Sequence, residues 1–152
     1  MKNKVTFPDL VLEDFFLGKV LATGHIIYYY PKKKIKSVKA NFLGKLKHNT
    51  LHLQEKYIED KQEVTRNWIF NKISNDCYTG TEKNLVKNLI AIKKDNNIEM
   101  TYKFKTNFKK LHFNVKVKDS MFLVSNNHLL NTTSISKLGV NIAKAILLYR
   151  KL

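Results

Sequence analysis

The run Leu111-His112-Phe113-Asn114-Val115-Lys116-Val117-Lys118 alternates apolar and polar residues without a break. A period of two belongs to an extended strand with one buried and one solvated face. Ile98, Met100, Tyr102 and Phe104 alternate in the same way with Glu99, Thr101, Lys103 and Lys105. Outward from these two stretches the pattern predicts strands over 19–30, 34–43, 49–58, 62–71, 75–81, 85–93, 97–106, 109–118, 120–124, 128–134 and 140–150. Pro31-Lys32-Lys33, Glu59-Asp60-Lys61, Asn71-Lys72, Asp95-Asn96-Asn97 and Ser125-Asn126-Asn127 supply turns. Ahead of the strands, Asp9 is placed to cap one short helical turn that Gly18 ends. The last segment, Leu138 to Tyr149, reads as strand or helix, since Ala143, Lys144 and Ala145 favour a helix. A meander of this many short strands closes on itself, because closure removes exposed edges. The expectation is one all-β domain over 1–152, an antiparallel up-and-down barrel.

The composition agrees with a packed domain: 152 residues, 43% hydrophobic, with 5 Gly and 2 Pro. Collagen-like, low-complexity and disordered chains are excluded. The outlying number is charge, 28 Lys+Arg against 12 Asp+Glu, formally +16. Such a basic protein draws attention to nucleic acid, anionic membranes and acidic partners. Arg66 and Arg150 are the only arginines, however, and lysine is a hydrated point charge rather than a forked reader of phosphate or guanine. The accompanying wealth of Asn and Ile is what an AT-rich coding sequence produces, so much of the charge reads as solvated surface.

Reactive chemistry is sparse. Cys77 is alone, and His25, His48, His52, His112 and His128 show no zinc-ligand spacing. Gly18, Gly24, Gly44, Gly80 and Gly139 are too dispersed for a P-loop, a nucleotide fingerprint or a nucleophile elbow. No catalytic residue, metal or cofactor is expected. Met1 to Asp9 has a charged start but no apolar core of a signal peptide, and no run approaches a membrane span. A cytoplasmic protein, peripheral to membranes if associated with them, is the expectation.

Strand parity singles out polar residues that share the apolar face. Leu51, Leu53, Glu55 and Tyr57 point one way, as do Val64, Arg66, Trp68 and Phe70 on the next strand. Counted from the 59–61 turn, Glu55 and Arg66 come close to opposite each other, which makes an ion pair feasible. Continuing the parity of Phe113, Val115 and Val117 sends Asp119 and Met121 inward. An isolated interior charge is costly, so these groups pair or line a polar cavity. One reading is a register-fixing or end-plugging ion pair. The other has Glu55, Arg66 and Asp119 orient the polar head of a ligand among Trp68, Tyr57, Tyr78, Phe104 and Phe113, since ligand pockets combine apolar walls with a few convergent polar groups.

A series of short stretches, in order along nearly the whole chain, carries a resemblance. They are Leu12-Glu13-Asp14-Phe15-Phe16-Leu17-Gly18, Ala22-Thr23-Gly24, Leu53-Gln54-Glu55-Lys56-Tyr57, Arg66-Asn67-Trp68-Ile69 and Tyr78-Thr79-Gly80. Met100-Thr101-Tyr102, Lys118-Asp119-Ser120-Met121-Phe122, Asn131 and Ser136-Lys137-Leu138-Gly139-Val140 follow. Together they resemble an uncharacterised bacterial family of lipocalin-like barrels, domain of unknown function three-eight-three-three, many of whose members are described as lipoproteins. The resemblance implies a calycin-type β-barrel and a lipid-binding or lipid-handling role, with fatty-acyl chains as the leading ligand. This chain departs from the family at Ser120, where a tryptophan is usual, at Tyr28-Tyr29-Tyr30, at Lys87 and at Thr132.

Two functions follow as expectations. The first is non-enzymatic binding of a fatty-acyl or other apolar ligand inside the barrel. The second is docking on a polyanion through Tyr28, Tyr29, Tyr30, Lys32, Lys33 and Lys34, an aromatic run leading into a basic turn. Because the basic residues are lysines, an anionic membrane ranks above nucleic acid. An enzyme acting on an acyl chain ranks third.

Overall fold

The computed structural model describes residues 7–108 and 111–152. Among these, α1 (Leu12–Phe15) precedes ten strands. They are β1 (Gly18–Tyr28), β2 (Lys34–Lys47), β3 (Thr50–Glu59), β4 (Gln62–Ser74), β5 (Cys77–Thr81), β6 (Leu89–Lys94), β7 (Asn97–Phe108), β8 (Leu111–Ser125), β9 (His128–Lys137) and β10 (Val140–Lys151). Each strand pairs antiparallel with its successor and β10 pairs with β1, so the meander closes into an up-and-down barrel. The all-β expectation holds, and the ambiguous C-terminal segment is a strand. Ala143 and Ala145 lose their helical preference there because β10 must pair on both sides to close the sheet.

Four local expectations are corrected. The segments 109–118 and 120–124 form one strand, β8, because Asp119 continues the ladder while its carboxyl is satisfied inside; 109–110 lie outside the described residues. Asn71-Lys72 is no turn, for β4 runs on to Ser74 through a bulge. The strand expected over 85–93 begins only at Leu89; residues 82–88 form a loop held to β7 by the Leu85–Phe104 bridge. α1 is preceded by Val11 in extended conformation without a side-chain cap, and Asp9 instead meets Lys93 Nζ at 2.8 Å.

Three hairpins turn on two residues in left-handed conformation: His48-Asn49, Asp60-Lys61 and Leu138-Gly139. Such turns match the twist of the strands they join and so set the register. The 48–49 tip lies at one end of the barrel, and the 60–61 and 138–139 tips lie at the other. α1 plugs one end, where Leu10, Leu12 and Phe16 are at most 1% exposed. The Phe16 ring stands edge-on to Tyr149 at 5.8 Å and 6.0 Å from Phe42. Ala22, flanked across the sheet by Tyr149 and Ala40, leaves room for these rings. Gly44 lets the Phe16 carbonyl approach so closely that a Cβ there would lie 1.7 Å from its oxygen. The other end carries the 29–33, 60–61, 82–88 and 138–139 connections, and among the described residues no helix lies across it.

Candidate functional site

The inward faces of β3, β4, β7, β8 and β9 build the site. Val20, Ile98 and Leu129, toward the α1 end, are at most 1% exposed. Farther up, Tyr57, Trp68, Tyr102, Phe113 and Leu147 point inward yet stay partly accessible, and the Arg66 side chain is 22% exposed. Inward side chains that still meet solvent mark this half of the barrel as less tightly closed than the α1 end.

Glu55 and Arg66 are direct register partners, as parity and the turn require. They are not each other's closest polar contact. Glu55 Oε2 accepts a hydrogen bond from Trp68 Nε1 at 2.9 Å. Arg66 donates from Nε and Nη2 to the Tyr57 hydroxyl at 3.2 and 2.9 Å, and its Nη1 is 4.0 Å from Glu82 Oε1. Its guanidinium also lies 4.6 Å from the centre of the Phe104 ring. β5 pairs with β4 only from Ile69 onward, so beside Arg66 the wall is made by the 82–88 loop rather than by a strand. Arg66 ties β4 to that loop and to β7.

Asp119, 7% exposed, accepts hydrogen bonds from Tyr102 Oη at 2.6 Å and from Thr133 Oγ1. Thr133 Oγ1 in turn accepts from Asn131 Nδ2 at 3.3 Å. Asn131 is 4% exposed, and its Oδ1 has no hydrogen-bond partner among the described residues. Trp68 links the two halves of the site, with ring centroids 6.2 Å from Tyr102 and 6.2 Å from Phe104. Glu55, Trp68, Tyr102, Asp119, Thr133 and Asn131 thus form one polar seam in an aromatic interior.

Burial raises the pKa of Glu55, helped by the Asp119 and Glu82 carboxylates and opposed by Trp68 and Arg66. Burial likewise raises Asp119, opposed by its bonds from Thr133, Tyr102 and Asn131. Burial, then the neighbouring Asp119, pushes Tyr102 well above the usual phenol range. Burial and then Glu55 do the same to Tyr149, whose hydroxyl adjoins the Asn131 amide. The chemistry of the site is hydrogen bonding in a low-dielectric interior. Among the described residues no group of three His, Cys, Asp or Glu side chains could hold a metal ion.

Of the residues singled out by parity, Glu55, Tyr57, Arg66, Trp68, Phe104 and Asp119 come together. Phe113 lies toward the open end, with Lys137 Nζ 3.9 Å from its ring centre. Tyr78 is apart from them. Its hydroxyl donates to Glu13 Oε2 at 2.7 Å, and Lys72 Nζ meets the other oxygen of the same carboxylate at 2.9 Å, so Tyr78 belongs to the latch on α1. Tyr102, Thr133 and Asn131 were not identified from the sequence as site residues. The signal was available, since Leu129, Asn131 and Thr133 share a face by the same alternation.

Two surface depressions flank α1. One, of about 440 Å³, is lined by Glu13, Leu46, Asn49, Lys72 and residues 73–75; the other, of about 190 Å³, by Asp9, Val11, Asp14, Phe15, Leu123, Asn126 and Lys151. Neither reaches the polar seam. Tyr28 ends β1 at the open end, two residues short of the strand expected over 19–30; Tyr29, Tyr30, Lys32 and Lys33 lie in the connection, and Lys34 opens β2. No helix among the described residues is long and apolar enough to cross a membrane.

Two solved structures share the architecture. A protein of unknown function from the DUF3598 family of Nostoc punctiforme matches with a TM-score of 0.70 at 10% identity. The match covers 99% of this chain and 53% of that protein, so this chain spans about half its length. Rv2717c from M. tuberculosis matches with a TM-score of 0.57 at 11% identity, over 95% of this chain and 100% of that one. At such identities the likeness is one of fold. No curated protein matches the chain. A family model does match, over residues 2–151, and the chain belongs to that family, the proteins of unknown function DUF3833.

Proposed function

We propose that the protein is a non-enzymatic carrier or binder of an apolar small molecule, taken into the barrel through the end opposite α1. The observation that carries this reading is the contrast between the sealed α1 end and the accessible inward side chains of the other half. The lining supports it too: Trp68, Tyr102, Phe104 and Phe113 give apolar walls, and the polar seam gives a few fixed hydrogen-bonding groups. The lipocalin-like resemblance and a fatty-acyl ligand belong to the same proposal.

Trp68 is the single tryptophan and packs beside Tyr102 and Phe104 in the accessible half, so its fluorescence is a direct probe of a ligand taken up there. Titration with decyl-chain amphiphiles is expected to shift Trp68 emission and raise the melting temperature together. Ligand at about a hundred times its Kd stabilises by about 2.7 kcal/mol. Unchanged emission and melting across every head group refutes the carrier reading.

A second reading concerns the open rim, and a specific observation favours it. Leu138 is 93% exposed, Tyr30 73%, Ile58 66%, Val140 61% and Ile35 60%. All lie on adjacent hairpins at the open end, β9–β10, β1–β2 and β3–β4, beside Lys32, Lys33, Lys34 and Lys61. Glu59 and Asp60 share the arc, and Asp60 is paired with Lys36. Apolar tips with lysines beside them suit an anionic bilayer, from which an apolar ligand would pass straight into the mouth. Flotation with phosphatidylserine vesicles is expected to capture the protein at low salt and release it as salt rises. Capture indifferent to salt and lipid charge overturns this reading.

A further inference from the structure

Within the seam, the protein's hydrogen-bond donors are nearly all committed to its own acceptors. Trp68 Nε1–H goes to Glu55 Oε2, Tyr102 Oη–H to Asp119, Thr133 Oγ1–H to Asp119, and Asn131 Nδ2–H to Thr133. What remains uncommitted is acceptor capacity. Among the described residues Asn131 Oδ1 is buried with no partner, and Glu55 Oε1 takes no hydrogen bond. A buried acceptor left unpaired costs about 1–3 kcal/mol, so a group that supplies its donor gains by occupying the place. The formal charge along the seam is also unfavourable to an anion: Glu55, Asp119 and Glu82 face Arg66, already engaged by Tyr57 and Glu82, while Lys137 stands farther out over Phe113 at the open end.

We infer that the seam takes the head group of an amphiphile that donates hydrogen bonds, an alcohol or a protonated amine, and discriminates against a carboxylate. An ammonium has donors enough for both Asn131 Oδ1 and Glu55 Oε1, while a hydroxyl, with its one proton, completes one of them. A fatty-acid carboxylate brings acceptors where acceptors are in excess and a negative charge beside two buried carboxyl groups.

This inference rests on the carrier reading, and one experiment separates the two. 1-Decanol, decylamine and decanoate, of equal chain length, are titrated against the full chain at neutral pH with Trp68 emission and melting temperature as readouts. The protein's +16 charge favours decanoate everywhere outside the barrel, so a preference for the amine reports the interior. The expected result is binding of decanol and decylamine at least about tenfold tighter than decanoate. Asn131→Leu is expected to weaken decanol and decylamine by about tenfold, and Glu55→Gln to weaken decylamine more than decanol. Decanoate binding as tightly as the other two overturns the head-group assignment and leaves the carrier reading standing. No binding of any of the three overturns both. The wild-type series decides by itself should Asn131→Leu fail to fold.

Discussion

Glu55 shows how a single side chain can oppose stability while serving a site. Burial raises its pKa in the folded protein, so between the ordinary carboxyl value and the raised one the folded state holds more proton than the unfolded chain. Stability contributed by this group is therefore greatest in acid and falls as pH rises through that window. Glu55→Gln keeps an acceptor for Trp68 Nε1 and removes the titration. The variant is expected to melt higher than wild type at neutral pH, with the difference fading toward acid, as a pH series of melting curves would record. Equal melting temperatures at neutral pH contradict the burial of a charge there. Asp119 shifts in the same direction, so the wild-type slope is only partly removed. That Glu55 and Arg66 stand opposite each other was legible in the sequence, because the Asp60-Lys61 turn sets the count and alternation sets the face. Their actual partners were not, because Glu82 sits on a loop and Trp68 is the diagonal neighbour of Glu55.

At the scale of elements, α1 owes its place to tertiary contacts. A four-residue helix without a side-chain cap is far too short to be stable alone. It is held by the burial of Phe15 and Phe16, by Glu13 with Tyr78 and Lys72, and by the close approach of the Phe16 carbonyl that Gly44 allows. Gly44→Ala puts a methyl group against a backbone oxygen that cannot swing away. It is expected to lift α1 from the barrel, lowering the melting temperature and speeding amide exchange over 10–17. A wild-type exchange pattern contradicts this. For Glu13, burial is outweighed by the bonds from Lys72 and Tyr78, and its pKa falls. Its sign is thus the reverse of Glu55: this stability is present above the unfolded pKa and is lost as pH falls through the folded one.

The β9–β10 hairpin breaks a local preference that the others respect more closely. Leu138 holds φ 50° and is 93% exposed, where Asn or Gly would be the comfortable choice. Leu138→Asn is expected to raise stability by about 1 kcal/mol, roughly 2–4 °C in melting temperature for a domain of this size. If the rim meets membranes, the same change reduces capture by phosphatidylserine vesicles. Gain of stability with undiminished capture separates the turn's strain from any membrane role.

For the whole molecule, the alternation, the closure and the turns near 31–33, 59–61, 95–97 and 125–127 were implicit in the order of residues, whereas Asn71-Lys72 lies inside β4. A period-two pattern says which face is apolar, and two-residue left-handed turns set the register of consecutive strands, so an all-β meander and its inward residues follow from local rules. The lysines fall mostly on outward positions for the same reason. Only the folded barrel decided which inward residues meet. Asp119, Tyr102, Thr133 and Asn131 are separated along the chain, and their hydrogen bonds depend on ring orientation and on closure of the barrel. Tyr78 followed the correct parity and still left the site, because its height along the barrel puts it beside Glu13. Alternation encodes the face of a strand. Height, partner and the division into packed and accessible halves arise from contacts distant in sequence.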